Sequence, residues 1–481
     1  MRRFRVYDSM SRSVRPFVPI LPPRVGLFVC GMTPYAEAHI GHGRTAVTFD
    51  VVARALRRWG YRVFYVQNVT NLDDKVLARA GEEGVDPLLL AERHFAAYRA
   101  SMARLGVISV DHYPFATDYV PEILRQIATL VERRAAYAAA GSVYFDVGSF
   151  PEYGRLSGNR IDEPRPGARL EPDPAKRRPE DFALWKAASP GEPSWESPWG
   201  PGRPGWHIED TAITLRLLGD RYDLHGGGLE LKFPHHEAEI ALAESTTGAA
   251  PLVNYWMHAG LLTMKGEKMA KSLGNVVRLD TILDRVGPGV LRFYYLNAVY
   301  RNPLEFEDPK SLDEAGEAYD RLLLPARRIS EEIARAPSDR AGPELPPDLA
   351  REAAAVVDRM DDFLAEDFNT REAIGALFGW SRRLAPILPE LSGFATGALL
   401  DLERPYRWAA DLLGLGGESP PLPSGAVGPL VEVVLAARAR ARARGDFAES
   451  DRLREELRAV GVTVEDGASG SRWSYTEPPA G

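Results

Sequence analysis

The chain contains 481 residues, of which 45% are hydrophobic and 26% are charged, as in ordinary globular proteins with more than one domain. Its formal net charge of −8 argues against nucleic-acid binding by bulk charge but permits a local basic surface. The sequence has no apolar run of the roughly 18 residues that a membrane helix needs. Its first residues are too polar for a signal peptide, so we expect a cytoplasmic protein with no membrane partner.

Cys30 is the single cysteine of the sequence, which excludes a disulfide within the chain. It ends an apolar stretch over residues 25–30 that predicts a buried strand. The thiol could be a small buried hydrophobe or a ligand, and composition leaves both interpretations open.

Two histidines open a predicted helix that begins directly after this strand. Apolar residues recur at helical spacing over 41–59, and residues 61–69 predict a second strand that would be parallel to the first. His39 and His42 lie three residues apart on the first helical turn, where backbone N–H groups and the helix dipole favour phosphate. The alternative is that both histidines only cap the helix.

The middle of the chain predicts an insertion. Asp73 and Asp74 follow the second strand, where open α/β sheets bind ligands, although a helix N-cap explains them equally well. Residues 118–140 predict an amphipathic helix and residues 142–147 a short strand. Residues 150–204 are rich in Pro, Gly, Arg and Trp.

A possible metal-binding helix follows the insertion. The glycines after His225 predict either a close backbone approach to a ligand or a plain turn. Pro234 marks a helix start, and His235 and Glu239 lie four residues apart on one face of that helix. This is a spacing typical of metal ligands.

A polar loop over residues 266–275 carries Lys268 and Lys271. Two lysines three residues apart could offset the charge that builds on a leaving pyrophosphate, because phosphoryl chemistry depends mostly on positioning and electrostatics. Taken alone, a lysine-containing loop is more often solvated surface charge.

The last third of the chain predicts helices and a small final domain. Residues 310–415 show helical periodicity that predicts a bundle, and residues 414–424 predict a linker. A helix with alternating arginines, including Arg438 and Arg442, follows the linker. These arginines could neutralise phosphates, although a solvated helix explains them equally well.

The two histidines and the two lysines occur in motifs that together resemble a known signature. His39-Ile-Gly-His42 and Lys268-Met-Ala-Lys-Ser272 resemble the paired motifs of class I aminoacyl-tRNA synthetases, in the expected order. Further segments resemble one family of that class, the cysteinyl-tRNA synthetases: Gln67–Lys75, Gly205–Glu209, His225–Gly228, Phe233–Glu237 and Asp367–Thr370. The resemblance extends to about Trp473.

This resemblance implies an α/β fold: a Rossmann-type parallel-sheet catalytic domain with a connective insertion, then a helical bundle and a small C-terminal α+β domain. The expected parts are the catalytic domain (1–115 and 205–265), the insertion (116–204), the lysine-loop and stem-contact region (266–310), the bundle (311–415), the linker (416–424) and the anticodon-binding domain (425–481).

The resemblance also implies that the chain activates cysteine with ATP and transfers it to tRNA(Cys). His39, His42, Lys268 and Lys271 would act in catalysis, and Gly41 would bind ATP together with the histidines and Lys271. Mg²⁺ would accompany ATP. Thr70 and Trp206 would line the amino-acid pocket, and the tRNA contacts would be Arg438, Arg442, Arg472 and Trp473. The partners would be tRNA(Cys), ATP and L-cysteine, and we expect a monomer.

The zinc site departs from the family at one position. In the family, two cysteines, a histidine and a glutamate hold a zinc ion that binds the substrate thiolate. The resemblance places Cys30, His235 and Glu239 on three of these positions, and Asp210 stands where the second cysteine would be. Aspartate can ligate zinc, so we expect one zinc ion per chain, with weaker retention and more tolerance of other divalent ions.

Two other functions stay open. A related ligase could transfer cysteine or another amino acid to a small amine, but such ligases lack the C-terminal part that residues 425–475 retain. A non-catalytic tRNA-binding paralogue could have diverged at Asp210, but the intact phosphate-binding motifs count against it.

Overall fold

The computed structural model describes residues 1–159, 173–269, 276–335, 340–416, 434–435, 438, 440–442, 446–459, 462–467 and 470–475. The chain forms two compact units, Met1–Gly416 and Gly417–Gly481. No helix within the described ranges is long and apolar enough to cross a membrane.

The first unit alternates strands and helices and ends in helices alone. Up to residue 204 its elements are β1 (Arg5–Asp8), β2 (Ser13–Pro16), β3 (Arg24–Met32), α1 (Ile40–Arg58), β4 (Arg62–Val69), α2 (Asp74–Glu83), α3 (Pro87–Arg104), α4 (Val120–Glu132), β5 (Ala136–Ala139), β6 (Ser142–Phe145), β7 (Phe182–Ala187) and β8 (Gly202–Pro204). The later elements are α5 (Trp206–Leu217), β9 (Tyr222–Gly228), α6 (His235–Thr247), β10 (Val253–Ala259), β11 (Leu262–Met264), β12 (Glu267–Lys268), α7 (Leu279–Leu296), β13 (Leu304–Glu305), α8 (Lys310–Arg335), α9 (Pro347–Ala365), α10 (Thr370–Leu384) and α11 (Thr396–Leu413).

A parallel sheet with the order β4-β3-β9-β10 forms the centre of this unit. Val29 of β3 pairs with Gln67 of β4 on one side and with Gly226 of β9 on the other. The predicted strand–helix–strand unit with parallel strands is confirmed. Because β3 has its sequence neighbour β4 on one side and the distant β9 on the other, the carboxyl ends of β3 and β9 border a crevice suited to ligands.

Helix α1 packs on this sheet through the apolar positions that the sequence predicts. Val47, Val51, Val52 and Leu56 are each at most 1% exposed. Burial of one such side chain contributes about 1.5–3 kcal/mol, so this apolar face holds the helix on the sheet.

The glycines after His225 lie inside β9 and do not form a plain turn. A Cβ atom at Gly226 would lie 2.3 Å from the ring of Phe49, which projects from α1. The glycine at this position makes room for the core residue Phe49, and the predicted approach of the backbone to a ligand stays a prediction.

The predicted helix over residues 118–140 is too long. Helix α4 ends at Glu132, and residues 136–139 form β5, which pairs antiparallel with β6. Arg134 and Ala140 have positive φ angles of 61° and 51°, at the helix end and in the hairpin turn. The alanines favour helix locally, but pairing within the antiparallel sheet β5-β6-β7-β8 overrides that preference.

Helices α8 to α11 pack against one another after the sheet. Trp380 of α10 is buried and donates its indole N–H to the carbonyl oxygen of Leu402 on α11 at 3.2 Å. The buried side chains of these helices are continuous with those that cover α1.

In the second unit, helix α12 (Phe447–Ala459) precedes the hairpin of β14 (Val462–Gly467) and β15 (Gly470–Tyr475). Leu435, Leu457 and Val464 form a small buried cluster. This is an α+β arrangement.

Candidate active site

A cavity of about 730 Å³ lies at the carboxyl ends of the parallel strands. Met32, Thr70, Gly228 and Ala259, at or just beyond the ends of the four strands, all line it. The predicted site residues that line the cavity are Cys30, His39, Gly41, His42, Thr70, Trp206, Asp210 and His235. The structure thus brings residues predicted for nucleotide, amino acid and metal into one space.

His39 and His42 cap α1 and also line the cavity. The His42 backbone N–H donates to Nδ1 of His39 at 3.3 Å, and the His39 backbone N–H donates to Nδ1 of His42 at 3.2 Å. The two rings stack with centroids 3.7 Å apart. Since each Nδ1 accepts a hydrogen bond, each neutral ring carries its own N–H at Nε2. The capping interpretation is therefore observed, and it is compatible with phosphate binding through Nε2.

Asp73 also acts as a helix cap. Its carboxylate accepts hydrogen bonds from the backbone N–H groups of Lys75 and Val76, both at 2.8 Å. Asp74 pairs with Lys186 at 2.6 Å. Both aspartates therefore have structural partners in α2 and in the β5–β8 sheet.

The four predicted metal ligands converge on one point although they come from three elements. We call Cys30, Asp210, His235 and Glu239 the outer set; each is at most 7% exposed, and one donor atom from each lies within 4.8 Å of the others. His235 Nε2 lies 3.0 Å from Asp210 Oδ2 and 3.0 Å from Glu239 Oε1. Cys30 Sγ lies 3.5 Å from Asp210 Oδ2.

The ionisation of the outer set fits a divalent cation. Burial raises the pKa of the Cys30 thiol well above its ordinary value, and the Glu239 and Asp210 carboxylates raise it further. Burial alone would lower the pKa of His235, but the two carboxylates raise it to about 10. Burial raises the pKa of Glu239 to about 8 against the effect of His235. A divalent cation would replace these protons, as metals do at thiol, imidazole and carboxylate ligands.

Several residues around the outer set carry no role in the sequence-based prediction. Asn68, at the end of β4, donates its side-chain N–H to Asp210 Oδ1. His225 and His236 approach Cys30 Sγ through Nε2 at 3.4 and 3.1 Å. The only sequence signal for these residues was that they lie in the segments that resemble cysteinyl-tRNA synthetases. Their contacts with Cys30 and Asp210 join residues that are far apart along the chain, so local spacing could not predict them.

The predicted amino-acid pocket residues flank the same site. The Trp206 ring stacks on the His235 ring with centroids 4.5 Å apart, and 43% of Trp206 is exposed. Thr70 is buried, and its hydroxyl oxygen accepts a hydrogen bond from the Asn68 side-chain N–H at 3.4 Å. Burial raises the pKa of Glu209 well above its ordinary value, and the neighbouring Asp210 carboxylate raises it further.

The lysine loop and the predicted tRNA contacts are described only in part. Lys271 lies outside the described residues, and of Lys268 only the backbone, in β12, is described. The backbones of Arg472 and Trp473 lie in β15. Arg442 is exposed, whereas Arg438 is 2% exposed, and this burial counts against a phosphate contact by Arg438.

Comparison with known proteins matches both units. Residues 16–316 match the tRNA synthetases class I (C) catalytic domain, and residues 425–473 match the cysteinyl-tRNA ligase anticodon binding domain. A cysteine–tRNA ligase of Methylococcus capsulatus is 44% identical over 480 residues, which cover 98% of this chain and 99% of the relative. The chain belongs to the cysteine–tRNA ligase family. Another member, from Alkalilimnicola ehrlichii, is 45% identical over 478 residues, or 97% of this chain and 99% of the relative.

Solved structures of other class I synthetases share the fold of this family member. A Mycobacterium tuberculosis methionyl-tRNA synthetase bound by methionyl-adenylate has a TM-score of 0.60 at 14% identity, covering 81% of this chain and 92% of that chain. An Agrobacterium radiobacter K84 leucyl-tRNA synthetase in a ternary complex has a TM-score of 0.59 at 12% identity, covering 83% and 85%. The Rossmann-type α/β fold is thereby confirmed.

Proposed function

We propose that this chain activates cysteine with ATP and transfers it to tRNA(Cys). The observation that carries the proposal is the shared cavity: His39 and His42 line it together with Cys30, Asp210 and His235 of the outer set. An amino acid held at the outer set and an ATP at the N-terminus of α1 would meet there, in a chain that belongs to the cysteine–tRNA ligase family.

The reaction has two steps. A carboxylate oxygen of cysteine attacks the α-phosphorus of ATP, the bond to the bridging oxygen breaks, and diphosphate leaves with that electron pair. A ribose hydroxyl at the end of tRNA then attacks the acyl carbon of the adenylate, loses its proton, and AMP leaves. Neither step needs a covalent enzyme intermediate, so the protein contributes positioning and charge stabilisation.

His39 and His42 are assigned to the phosphates. Their Nδ1 atoms accept hydrogen bonds within the cap, and this fixes the donor of each neutral ring at Nε2. Gly41 lies between them, where a Cβ atom would come within 3.0 Å of the His39 ring. Lys271, assisted by Lys268, is assigned to the leaving diphosphate, and Mg²⁺ accompanies ATP.

The outer set is assigned to zinc, one ion per chain, and Asp210 replaces a thiolate ligand of the family. A bound zinc ion would take the substrate side chain as a thiolate, which serine cannot offer at neutral pH. The shape of a pocket alone discriminates between substrates that differ by about a methylene by only roughly 10–200-fold, so shape gives limited selection of cysteine over serine. Trp206 and Thr70 would enclose the rest of the amino acid, so we expect the site to select cysteine.

The remaining assignments concern partners and location. Arg442, Arg472 and Trp473 are assigned to tRNA, because guanidinium and aromatic planes stack on unpaired bases. The match of residues 425–473 to an anticodon binding domain supports tRNA as the acceptor over a small amine. The chain would work in the cytoplasm as a monomer.

The test is amino-acid-dependent exchange of labelled pyrophosphate into ATP, measured for the standard amino acids on protein of defined zinc content. Exchange with cysteine alone is expected. The matched variants are Asp210→Asn, which removes one negative ligand from the outer set, and Asp220→Asn at an exposed position outside the cavity. Asp210→Asn should lose cysteine-dependent exchange, and Asp220→Asn should retain it.

Two outcomes would contradict the assignment. Faster exchange with serine or another amino acid would overturn the substrate. Failure of the zinc-loaded wild-type protein to exchange with any amino acid would overturn the activation step itself and favour a tRNA-binding paralogue. Charging of a tRNA(Cys) transcript then tests the acceptor.

A further inference from the structure

A second group of metal-binding side chains shares two residues with the outer set. Cys30, His225, His236 and Glu239, here called the inner set, have donor atoms that all lie within 4.8 Å of one another. Cys30 Sγ lies 3.1 Å from His236 Nε2 and 3.4 Å from His225 Nε2, and His225 Nε2 lies 3.2 Å from Glu239 Oε2. These three separations are close to, or slightly shorter than, the edges of roughly 3.3–3.5 Å in a tetrahedron around an ion with bonds of about 2.0–2.3 Å.

One atom of the inner set lacks the partner that its burial requires. Glu239 is 1% exposed, and its Oε2 atom forms no hydrogen bond with any described residue. Oε1 of the same carboxylate faces His235, whereas Oε2 faces His225. A buried carboxylate oxygen without a donor is costly, and an ion between Oε2 and the two imidazoles would satisfy it.

Hydrogen bonds at Nδ1 orient the two histidines of the inner set. Nδ1 of His225 hydrogen-bonds the Tyr222 hydroxyl at 2.6 Å. Nδ1 of His236 hydrogen-bonds Nε2 of His258 at 2.9 Å, and Nδ1 of His258 reaches the Ser9 hydroxyl at 2.7 Å. When the Nδ1 atom of each of these histidines carries the proton of its hydrogen bond, Nε2 of His225 and Nε2 of His236 are unprotonated, and their lone pairs point toward Cys30. Metal-binding histidines are ordinarily fixed by a second hydrogen bond of this kind.

The two sets differ in the net charge of the metal centre that they would form and in their access to the cavity. A divalent ion in the inner set has two anionic ligands, which makes a neutral centre, whereas the three anionic ligands of the outer set leave a charge of −1. A neutral centre costs less to bury. The cavity is lined by Cys30, Asp210 and His235 but not by His225, His236 or Glu239. The outer set is therefore open to substrate, while the inner set is closed, as structural metal sites are.

We propose that Cys30, His225, His236 and Glu239 form a second, closed metal position that binds a thiophilic divalent ion such as Zn²⁺. This position shares its thiolate and carboxylate with the outer set but does not use Asp210. A zinc ion is therefore retained by the protein when Asp210 is removed. The proposal concerns metal binding and is independent of which amino acid the protein activates.

The test measures zinc on the full-length chain without substrates. Zinc affinity is determined by competition with a chromophoric chelator, and X-ray absorption spectroscopy counts the imidazole ligands. The variants are Asp210→Ala, Asp210→Ala combined with His236→Asn, and a control that combines Asp210→Ala with His112→Asn, because His112 is an exposed histidine. Circular dichroism identifies any variant that fails to fold, in which case Asp210→Asn replaces Asp210→Ala as the parent.

Asp210→Ala should keep one zinc ion with two imidazole ligands and one sulfur ligand. Adding His236→Asn should weaken zinc binding by at least about tenfold, whereas adding His112→Asn should not. Loss of zinc from folded Asp210→Ala, a single imidazole in its spectrum, or equal affinity with and without His236→Asn would each overturn the proposal.

Discussion

Replacement of the buried Arg292 should strongly destabilise the first unit. Arg292 lies on α7 and is 1% exposed. Its guanidinium pairs with Asp50 Oδ2 at 2.9 Å and donates to the carbonyl oxygens of Leu413, Leu105 and Gly106 at 2.8, 3.2 and 3.1 Å. It therefore ties α7 to α1 and to the ends of α3 and α11.

The magnitude follows from what Arg292→Met leaves behind. Removal of one partner of a buried ion pair costs about 3–5 kcal/mol, because the other charge stays buried without compensation. Asp50 retains an ion pair with Arg54 at 2.9 Å and a hydrogen bond from Ser109 at 2.7 Å, so we expect the lower end of that range. Urea unfolding monitored by tryptophan fluorescence measures the change in free energy.

Arg321→Met provides the matched control. Arg321 and Glu317 form an ion pair whose side chains are 68% and 77% exposed, and such a pair contributes only about 0–1 kcal/mol. A loss below about 1 kcal/mol for Arg292→Met, or a loss equal to that of the control, would refute the reasoning.

The ion pair between Arg292 and Asp50 should also make the free energy of unfolding depend on pH. Burial alone would raise the pKa of Asp50, but Arg292 and then Arg54 outweigh it and hold that pKa below its ordinary value of 3.8. Because the pKa of Asp50 is lower in the folded than in the unfolded protein, its ionised carboxylate stabilises the fold at any pH above the unfolded-state pKa. This stabilisation is lost as the pH falls through the folded-state pKa. The stability difference between wild type and Arg292→Met should therefore be constant near neutral pH and shrink below about pH 4.

Four further substitutions test the site and the fold. Asp210→Cys should raise zinc affinity in chelator competition by roughly tenfold or more, because thiolate is softer than carboxylate; unchanged affinity would contradict the ligand role. Lys271→Ala should slow adenylate formation in single-turnover assays far more than it weakens cysteine binding, and equal losses would exclude the assigned role. Gly226→Ala should destabilise the chain by about 1–3 kcal/mol in urea unfolding, since the added methyl meets Phe49. Trp473→Ala should cost about 1–3 kcal/mol in tRNA affinity by filter binding while pyrophosphate exchange stays normal.

Local signals in the sequence were sufficient where the deciding contacts are close along the chain. The spacing of Val47, Val51 and Leu56 predicts α1, and the Pro234 start predicts the helix on which His235 and Glu239 share a face. The repeat of a helix fixes which of its own residues are neighbours, so no tertiary information is needed. The family resemblance then supplied what spacing could not, namely that Cys30 and Asp210 belong with that helix.

Tertiary contacts decided the features that the sequence left open or that we predicted wrongly. The sequence left open whether the glycines after His225 form a plain turn or allow a close backbone approach, and pairing of β9 with β3 makes them part of a strand. The alanine-rich end of the predicted helix over 118–140 becomes β5 because β6 offers it a partner.

The inner set shows most clearly what only the tertiary structure determines. His235 and His236 are adjacent, so on a helix they point in different directions, and spacing alone argues against both approaching Cys30 and Glu239. The structure nevertheless places His235 in the outer set and His236 in the inner set, and the two sets share Cys30 and Glu239. The pairing of Phe28 with His225 brings β9 beside Cys30. The sequence by itself determined the residue types and the local helix faces. The convergence of Cys30 with side chains from much later in the chain depends on the order of the strands in the sheet.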